Sequence, residues 1–157
     1  FIPGRLEIIK KKPLIILDGA HNPDKVRALV SSINTIFPKR KVITIIAIKN
    51  DKNAKEMLSL LLQISKKVIF TKFQLKADVG IISSYDPKEL LTIAQTLQHR
   101  YTSRHTKVVK EMLVMDNAKK AVEDAKKSAK PDDLILVTGS LYLVGKITKF
   151  TNKQIYK

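Results

Sequence analysis

Asp18 and His21 stand three residues apart where an apolar run ends, inside the string ILDGAHNPDK of residues 16–25. A carboxylate at a strand end can accept two hydroxyl hydrogen bonds, as from a ribose. A histidine close by can donate to a carboxylate or a phosphate. The competing reading is local. Both side chains then only satisfy N–H groups of the loop and the coming helix, as polar side chains do at turns. On these residues alone the two readings stand level. Metal binding is the weaker option, because two ligands fall short of the three or four a zinc site takes.

Arg5 is the second candidate. It follows Pro3-Gly4, so it leaves a tight turn with a guanidinium able to fork onto phosphate oxygens. Composition alone favours one more surface arginine. Asp51 and Lys52 form a third pair, and there solvated loop charge is the stronger reading. His99 and His105 lie in a basic stretch and read as surface residues. The sequence contains no G-x-x-x-x-G-K-[ST] and no G-x-G-x-x-G, so it carries no recognisable phosphate cradle. No nucleophile elbow or Ser-His-Asp order occurs either. The chain reads as half an active site.

The elements that must position these residues follow from hydrophobic spacing. Residues 5–9 and 13–17 read as two extended segments, joined by Lys10-Lys11-Lys12 as a hairpin linker. Val26, Leu29, Val30, Ile33 and Phe37 recur at helical spacing, with Asn22 as the cap and Pro23 in the first turn. Residues 42–48, VITIIAI, are a β-branched apolar run and predict a strand covered on both faces. A second helix is predicted over 53–64, and a short buried strand at Lys67 to Thr71. Residues 73–85 give little signal beyond IIS at 81–83. Asp86-Pro87 opens a third helix to about Gln98, residues 99–107 read as a basic loop, and 108–114 as a strand. Asp116 is the expected cap of a fourth helix carrying Ala118, Ala121, Val122 and Ala125. Pro131 ends it. Leu134 to Thr138 is the last buried strand, followed by Gly139-Ser140 and an apolar helix.

Buried strands alternating with amphipathic helices predict an α/β fold. The expected form is a Rossmann-like, mostly parallel sheet with helices on both faces and an antiparallel edge hairpin. Ligands in such sheets lie beyond the carboxyl ends of the strands. Three stretches fall there: Asp18 to Asn22, Lys49 to Asn53, and Gly139 to Tyr142. Residues 1–150 are expected to form one domain, and 151–157 a basic tail.

Composition sets outer limits. At 157 residues the chain is the size of one domain. It has no cysteine, hence no disulfide or thiolate chemistry, which fits a cytoplasmic protein. No apolar run approaches the ~20 residues that span a bilayer, and the start lacks the layout of a signal peptide. Thirty Lys and Arg against 14 acids give a formal charge of +16. Two explanations compete: an anionic partner such as nucleic acid, or lysines solvating every surface. The lysines are spread along the chain and aromatic residues make up only 6%. That favours solvation over nucleic acid, which would call for stacking aromatics. Phe1 in place of Met leads us to expect a longer parent with an N-terminal partner.

Pro3-Gly4-Arg5-Leu6-Glu7 followed by Asp18-Gly19-Ala20-His21-Asn22-Pro23 resembles the carboxy-terminal domain of folylpolyglutamate synthase and dihydrofolate synthase. These belong to the Mur ligase superfamily. Asp51-Lys52, Asp86-Pro87 and Val137-Thr138-Gly139-Ser140-Leu141-Tyr142 extend the resemblance from Phe1 to about Ile147. It implies an ATP-dependent ligase that phosphorylates a carboxylate and lets an amine attack the acyl phosphate. The acceptor would be a folate or dihydropteroate, and the amino acid L-glutamate. By this resemblance Arg5 would contact ATP phosphates and Asp18 the nucleotide. His21, Ser140 and Tyr142 would lie near the glutamate. The P-loop and the Mg2+ ligands would belong to an N-terminal ATPase domain absent from this chain, so the isolated domain would be inactive. The enzyme is expected to be a cytoplasmic monomer without membrane contact. Asn53 stands where many members have an acid, and residues 72–85 lack the expected proline-arginine pattern. Two alternatives remain: another Mur-type ligase acting on a cell-wall precursor, and a stand-alone basic domain that binds nucleic acid.

Overall fold

A computed structural model describes residues 4–102 and 109–155. Two short strands open it, β1 (Glu7–Lys11) and β2 (Leu14–Leu17), paired antiparallel. The expected linker shifts: Lys10 and Lys11 complete β1, and the turn is Lys12-Pro13. Helix α1 (Pro23–Ile36) follows, then β3 (Val42–Ile46), α2 (Ala54–Leu61) and β4 (Ser65–Phe70). A small hairpin, β5 (Gln74–Ala77) and β6 (Gly80–Ser83), precedes α3 (Pro87–Thr102). The chain then forms β7 (Glu111–Val114), α4 (Ala118–Ser128), β8 (Leu134–Thr138) and α5 (Leu141–Ile155).

The main sheet has the order β1-β2-β8-β3-β4-β7. Only β1 runs antiparallel to its neighbour; the other pairs are parallel. The expected mostly parallel sheet with an antiparallel edge hairpin is therefore observed. Side chains of β2 and β8 split between two cores with period two, as a pleated strand requires. Leu14, Ile16, Leu134 and Leu136 face one core with Val26, Leu29, Ile33, Met57 and Leu90. Ile15, Leu17, Ile135 and Val137 face the other with Ala118, Ala121, Ala125, Leu143 and Ile147. Helices α1, α2 and α3 thus cover one face, and α4 and α5 cover the other.

Several boundaries differ from expectation for local reasons. Asn117, not Asp116, caps α4: its side chain accepts from Lys120 N–H, while Asp116 pairs with Lys72 at 3.0 Å. Helix α2 stops at Leu61, and Ile64 is buried beyond its end. Helix α3 runs on to Thr102, so the first residues of the expected loop are helical. The rest of that loop, with His105, lies outside the described residues. Residues 73–85 hold a hairpin whose exposed Val79 and Ile81 break the usual apolar-in pattern. Helix α5 continues past residue 150 to Ile155.

The strand order places the crevice. β2 and β8 are neighbours, yet β2 leads into α1 on one face and β8 into α5 on the other. Their connections part at the carboxyl edge, the topological switch point where open α/β sheets hold ligands.

Candidate active site at the ends of strands β2, β8 and β3

The turn before β1 is locked onto the end of β2. Leu6 N–H donates to Asp18 Oδ2 at 3.0 Å, and Ala20 N–H donates to Asp18 Oδ1 at 2.9 Å. Gly19 N–H donates to Gly4 O at 2.7 Å, and Gly4 N–H donates to Glu7 Oε2 at 2.9 Å. Asp18 is 8% exposed, so these bonds form away from most solvent. Leu6 is held at φ 44°, a conformation a leucine adopts only when its surroundings enforce it. The result is structural: Asp18 fixes the turn that carries Arg5. The local reading of Asp18 is therefore realised.

Arg5 is exposed at the rim of a cavity of about 310 Å³, which Asp18, His21, Lys25 and Leu141 also line. His21 Nδ1 lies 2.9 Å from Gly19 O, and His21 Nε2 lies 3.3 Å from Lys25 Nζ. A carbonyl can only accept and an ammonium can only donate, so the ring carries its proton on Nδ1 and accepts at Nε2. Asn22 caps α1 by accepting from Lys25 N–H at 2.9 Å, and Pro23 occupies the first turn, as the sequence predicts. Gly19 is confined by Leu141: an added Cβ would sit 2.2 Å from Leu141 Cδ2.

Ser140 and Tyr142 start α5. Ser140 is 2% exposed, and its Oγ accepts from Tyr142 N–H at 3.0 Å. Gly139 before it has φ +101°, and an added Cβ would sit 2.5 Å from Ala47 O. Both constraints exclude a side chain there. Tyr142 does not line the Arg5 cavity. Its ring lies against Phe73, centroids 5.5 Å apart and tilted 36°. The five residues singled out in the sequence thus fall into two groups, separated by Leu141. Arg5, Asp18 and His21 share one cavity, while Tyr142 faces the ends of β3 and β4 and Ser140 caps α5.

Asp51 pairs with Lys49 at 2.9 Å rather than with Lys52. Lys52 contributes its carbonyl, which accepts from the Tyr85 hydroxyl at 2.9 Å. The hydrogen bond to Asp51 raises the Lys49 pKa above 10.5, with attraction to Asp51 and Tyr142 adding to it. The same bond lowers the Asp51 pKa below 3.8. The signs follow. Asp51's contribution is present above its unfolded value and lost as pH falls through the lowered folded value. That of Lys49 is present below 10.5 and lost as pH rises through the raised folded value. Carboxyl NMR titration should find Asp51 with a midpoint below 3.8, and Asp51→Asn should return Lys49 toward its ordinary value. An unmoved Lys49 midpoint in that variant would break the assignment.

Lys25, which lines the Arg5 cavity, is not singled out by the sequence, because one lysine among so many carries no signal. The available clue is that His21 stands just before the cap Asn22 and Lys25 in the first turn after it. His99 is exposed on α3, as expected of a surface residue. Among the described residues no group of three or more His, Asp or Glu can hold a metal ion, and no helix is long and apolar enough to cross a membrane.

Comparison with known proteins shows the family of the chain. The family described as "Dihydrofolate synthetase, C-terminal domain" matches residues 5–150. A probable bifunctional folylpolyglutamate synthase/dihydropteroate synthase of Haloferax volcanii is 30% identical over 142 residues, 90% of this chain and 15% of that protein. The dihydrofolate synthase/folylpolyglutamate synthase of Bacillus subtilis is 26% identical over 147 residues, 94% of this chain and 30% of that protein. The solved structure of E. coli FolC in complex with ADP superposes with a TM-score of 0.80 at 21% identity. That match covers all of this chain and 33% of FolC, and it speaks to the fold. The chain therefore spans about a third or less of these relatives. With the family matched across nearly all its length, the chain belongs to the dihydrofolate synthetase C-terminal domain family.

Proposed function

We propose that the chain is the closing half of an ATP-dependent ligase that joins L-glutamate to a folate, to dihydropteroate, or to both. The observation that carries this is the interlock of Asp18 with the turn of Arg5 at the sheet's switch point. It holds an exposed guanidinium over a cavity beside His21. The E. coli relative is solved with ADP, and an arginine so placed suits phosphate oxygens. In the proposed reaction ATP phosphorylates the acceptor carboxylate, and the amine of glutamate displaces phosphate from the acyl phosphate. Arg5 then neutralises charge on the transferred phosphoryl group. Asp18 acts through the backbone that sets Arg5. Ser140 and Tyr142, across Leu141, stand on the side assigned to glutamate, while His21 shares the cavity of Arg5. Closure on an N-terminal ATPase domain excludes the water that would hydrolyse the intermediate.

ATP enters as substrate, and Mg2+ is assigned to ligands of the N-terminal domain. That domain, the nucleotide, the acceptor and glutamate are the proposed partners, in a cytoplasmic monomer. The test is an assay of the parent protein for ATP-dependent ADP release. Dihydropteroate or a folate with glutamate should support turnover; a cell-wall nucleotide-peptide should not. Turnover only with the cell-wall acceptor would replace this reading with that of another Mur-type ligase. Salt-sensitive nucleic-acid binding without turnover on either would favour the basic binding module.

A further inference from the structure

We infer that Lys25 is a second phosphate-binding residue of the Arg5 cavity and that His21 is its positioning residue. The inference rests on the reading of that cavity as a nucleotide-phosphate site. Lys25 lines the same cavity as Arg5. Its Nζ is held 3.3 Å from His21 Nε2, a neutral acceptor whose tautomer is fixed by Gly19 O.

Charge sets Lys25 apart from its neighbours. Among the described residues neither Lys25 nor Arg5 pairs with a carboxylate. Two residues on, Arg27 is paired with both Asp24 and Glu56. The acid that lines the cavity, Asp18, already accepts backbone N–H groups at both oxygens. Among the described residues the cavity therefore holds two cations that no carboxylate pairs with directly, against the single negative charge of Asp18. Lys25 also sits in the first turn of α1, where the helix dipole disfavours a cation. A lysine held there against the dipole by a neutral histidine suits a ligand bearing at least two negative charges. A nucleoside di- or triphosphate has that chemistry, with Arg5 and Lys25 on different phosphate oxygens.

The test is ADP and, separately, inorganic tripolyphosphate titrated into the parent protein at low salt, followed by calorimetry and thermal denaturation. Lys25→Ala should weaken both ligands about tenfold, the scale of one lost charge-assisted contact. Lys25→Arg should bind within about threefold of wild type, keeping the charge in reach. His21→Leu should weaken binding, and His21→Gln, which restores an acceptor, should recover part of it. Without ligand, Lys25→Ala should melt no lower than wild type, because its cation opposes the dipole. A purely structural lysine would lower the melting point instead. Wild-type binding by Lys25→Ala with loss in Arg5→Ala would overturn the inference and leave the phosphate-site reading standing. Unchanged binding in both variants, or no response of the wild-type parent protein to ADP, would overturn both. Loss for ADP with full retention for tripolyphosphate would place Lys25 on the nucleoside and overturn the phosphate assignment.

Discussion

Asp18→Ala is expected to cost the domain about 3 kcal/mol of stability, the sum for one buried and one part-buried N–H group left without acceptors. Leu6 N–H and Ala20 N–H both end on this carboxylate, and at 8% exposure little water can replace it. The loss is not confined to two bonds. Leu6 keeps its φ of 44° because Asp18 holds its N–H, so releasing it lets the turn relax to an ordinary conformation and takes Arg5 with it. Asp18→Asn should cost less, about 1–2 kcal/mol, because the amide keeps one acceptor and turns its NH2 toward the other donor. Urea denaturation of the two variants beside wild type checks this. Equal midpoints for all three would mean that Asp18 does not clamp the turn. The role of Asp18 as a ribose acceptor would then be the surviving account of why an acid stands at this strand end.

That clamp also shows what a single sequence can and cannot disclose. The apolar runs predicted the buried strands closely, and β8 has the predicted limits at Leu134 and Thr138, because a strand covered on both faces leaves an uninterrupted signal. Asn22 and Pro23 mark the start of α1, since capping is a local matter. Strand order is not local. Nothing in LILVT says that it inserts between β2 and β3, yet this insertion creates the crevice. The hairpin of β5 and β6 is only half legible: IIS at 81–83 marks β6, while exposed Leu75, Val79 and Ile81 blur the alternation that identifies a half-buried strand. Asp116 and Asn117 are adjacent possible caps, and only the bonds to Lys72 and Lys120 separate their roles. In the site, residue types pointed to Arg5, Asp18 and His21 as candidates. The partition of Tyr142 away from them follows from the direction in which Leu141 and Tyr142 leave α5, which spacing alone does not fix.

Arg5→Ala in the parent enzyme is expected to lower kcat about 100-fold, the scale on which one preorganised charge-stabilising donor acts. Arg5 is exposed and accepts no carboxylate partner among the described residues. Its removal should therefore leave folding nearly intact, within the ~0.5 kcal/mol usual for surface substitutions. This separates it from Asp18→Ala, which should lose stability first and turnover as a consequence. Arg5→Lys should recover only part of the rate, since an ammonium keeps the charge but not the fork. KM for glutamate should stay close to wild type, because the guanidinium is assigned to the phosphoryl group rather than to the amino acid. Steady-state kinetics on the three proteins, with a melting curve for each, checks the set. A wild-type kcat in Arg5→Ala would remove Arg5 from the chemistry. A raised KM for ATP at unchanged kcat would assign it to ground-state nucleotide binding instead. Only a fall in kcat with the fold preserved agrees with a guanidinium whose main contact forms as the phosphoryl group moves.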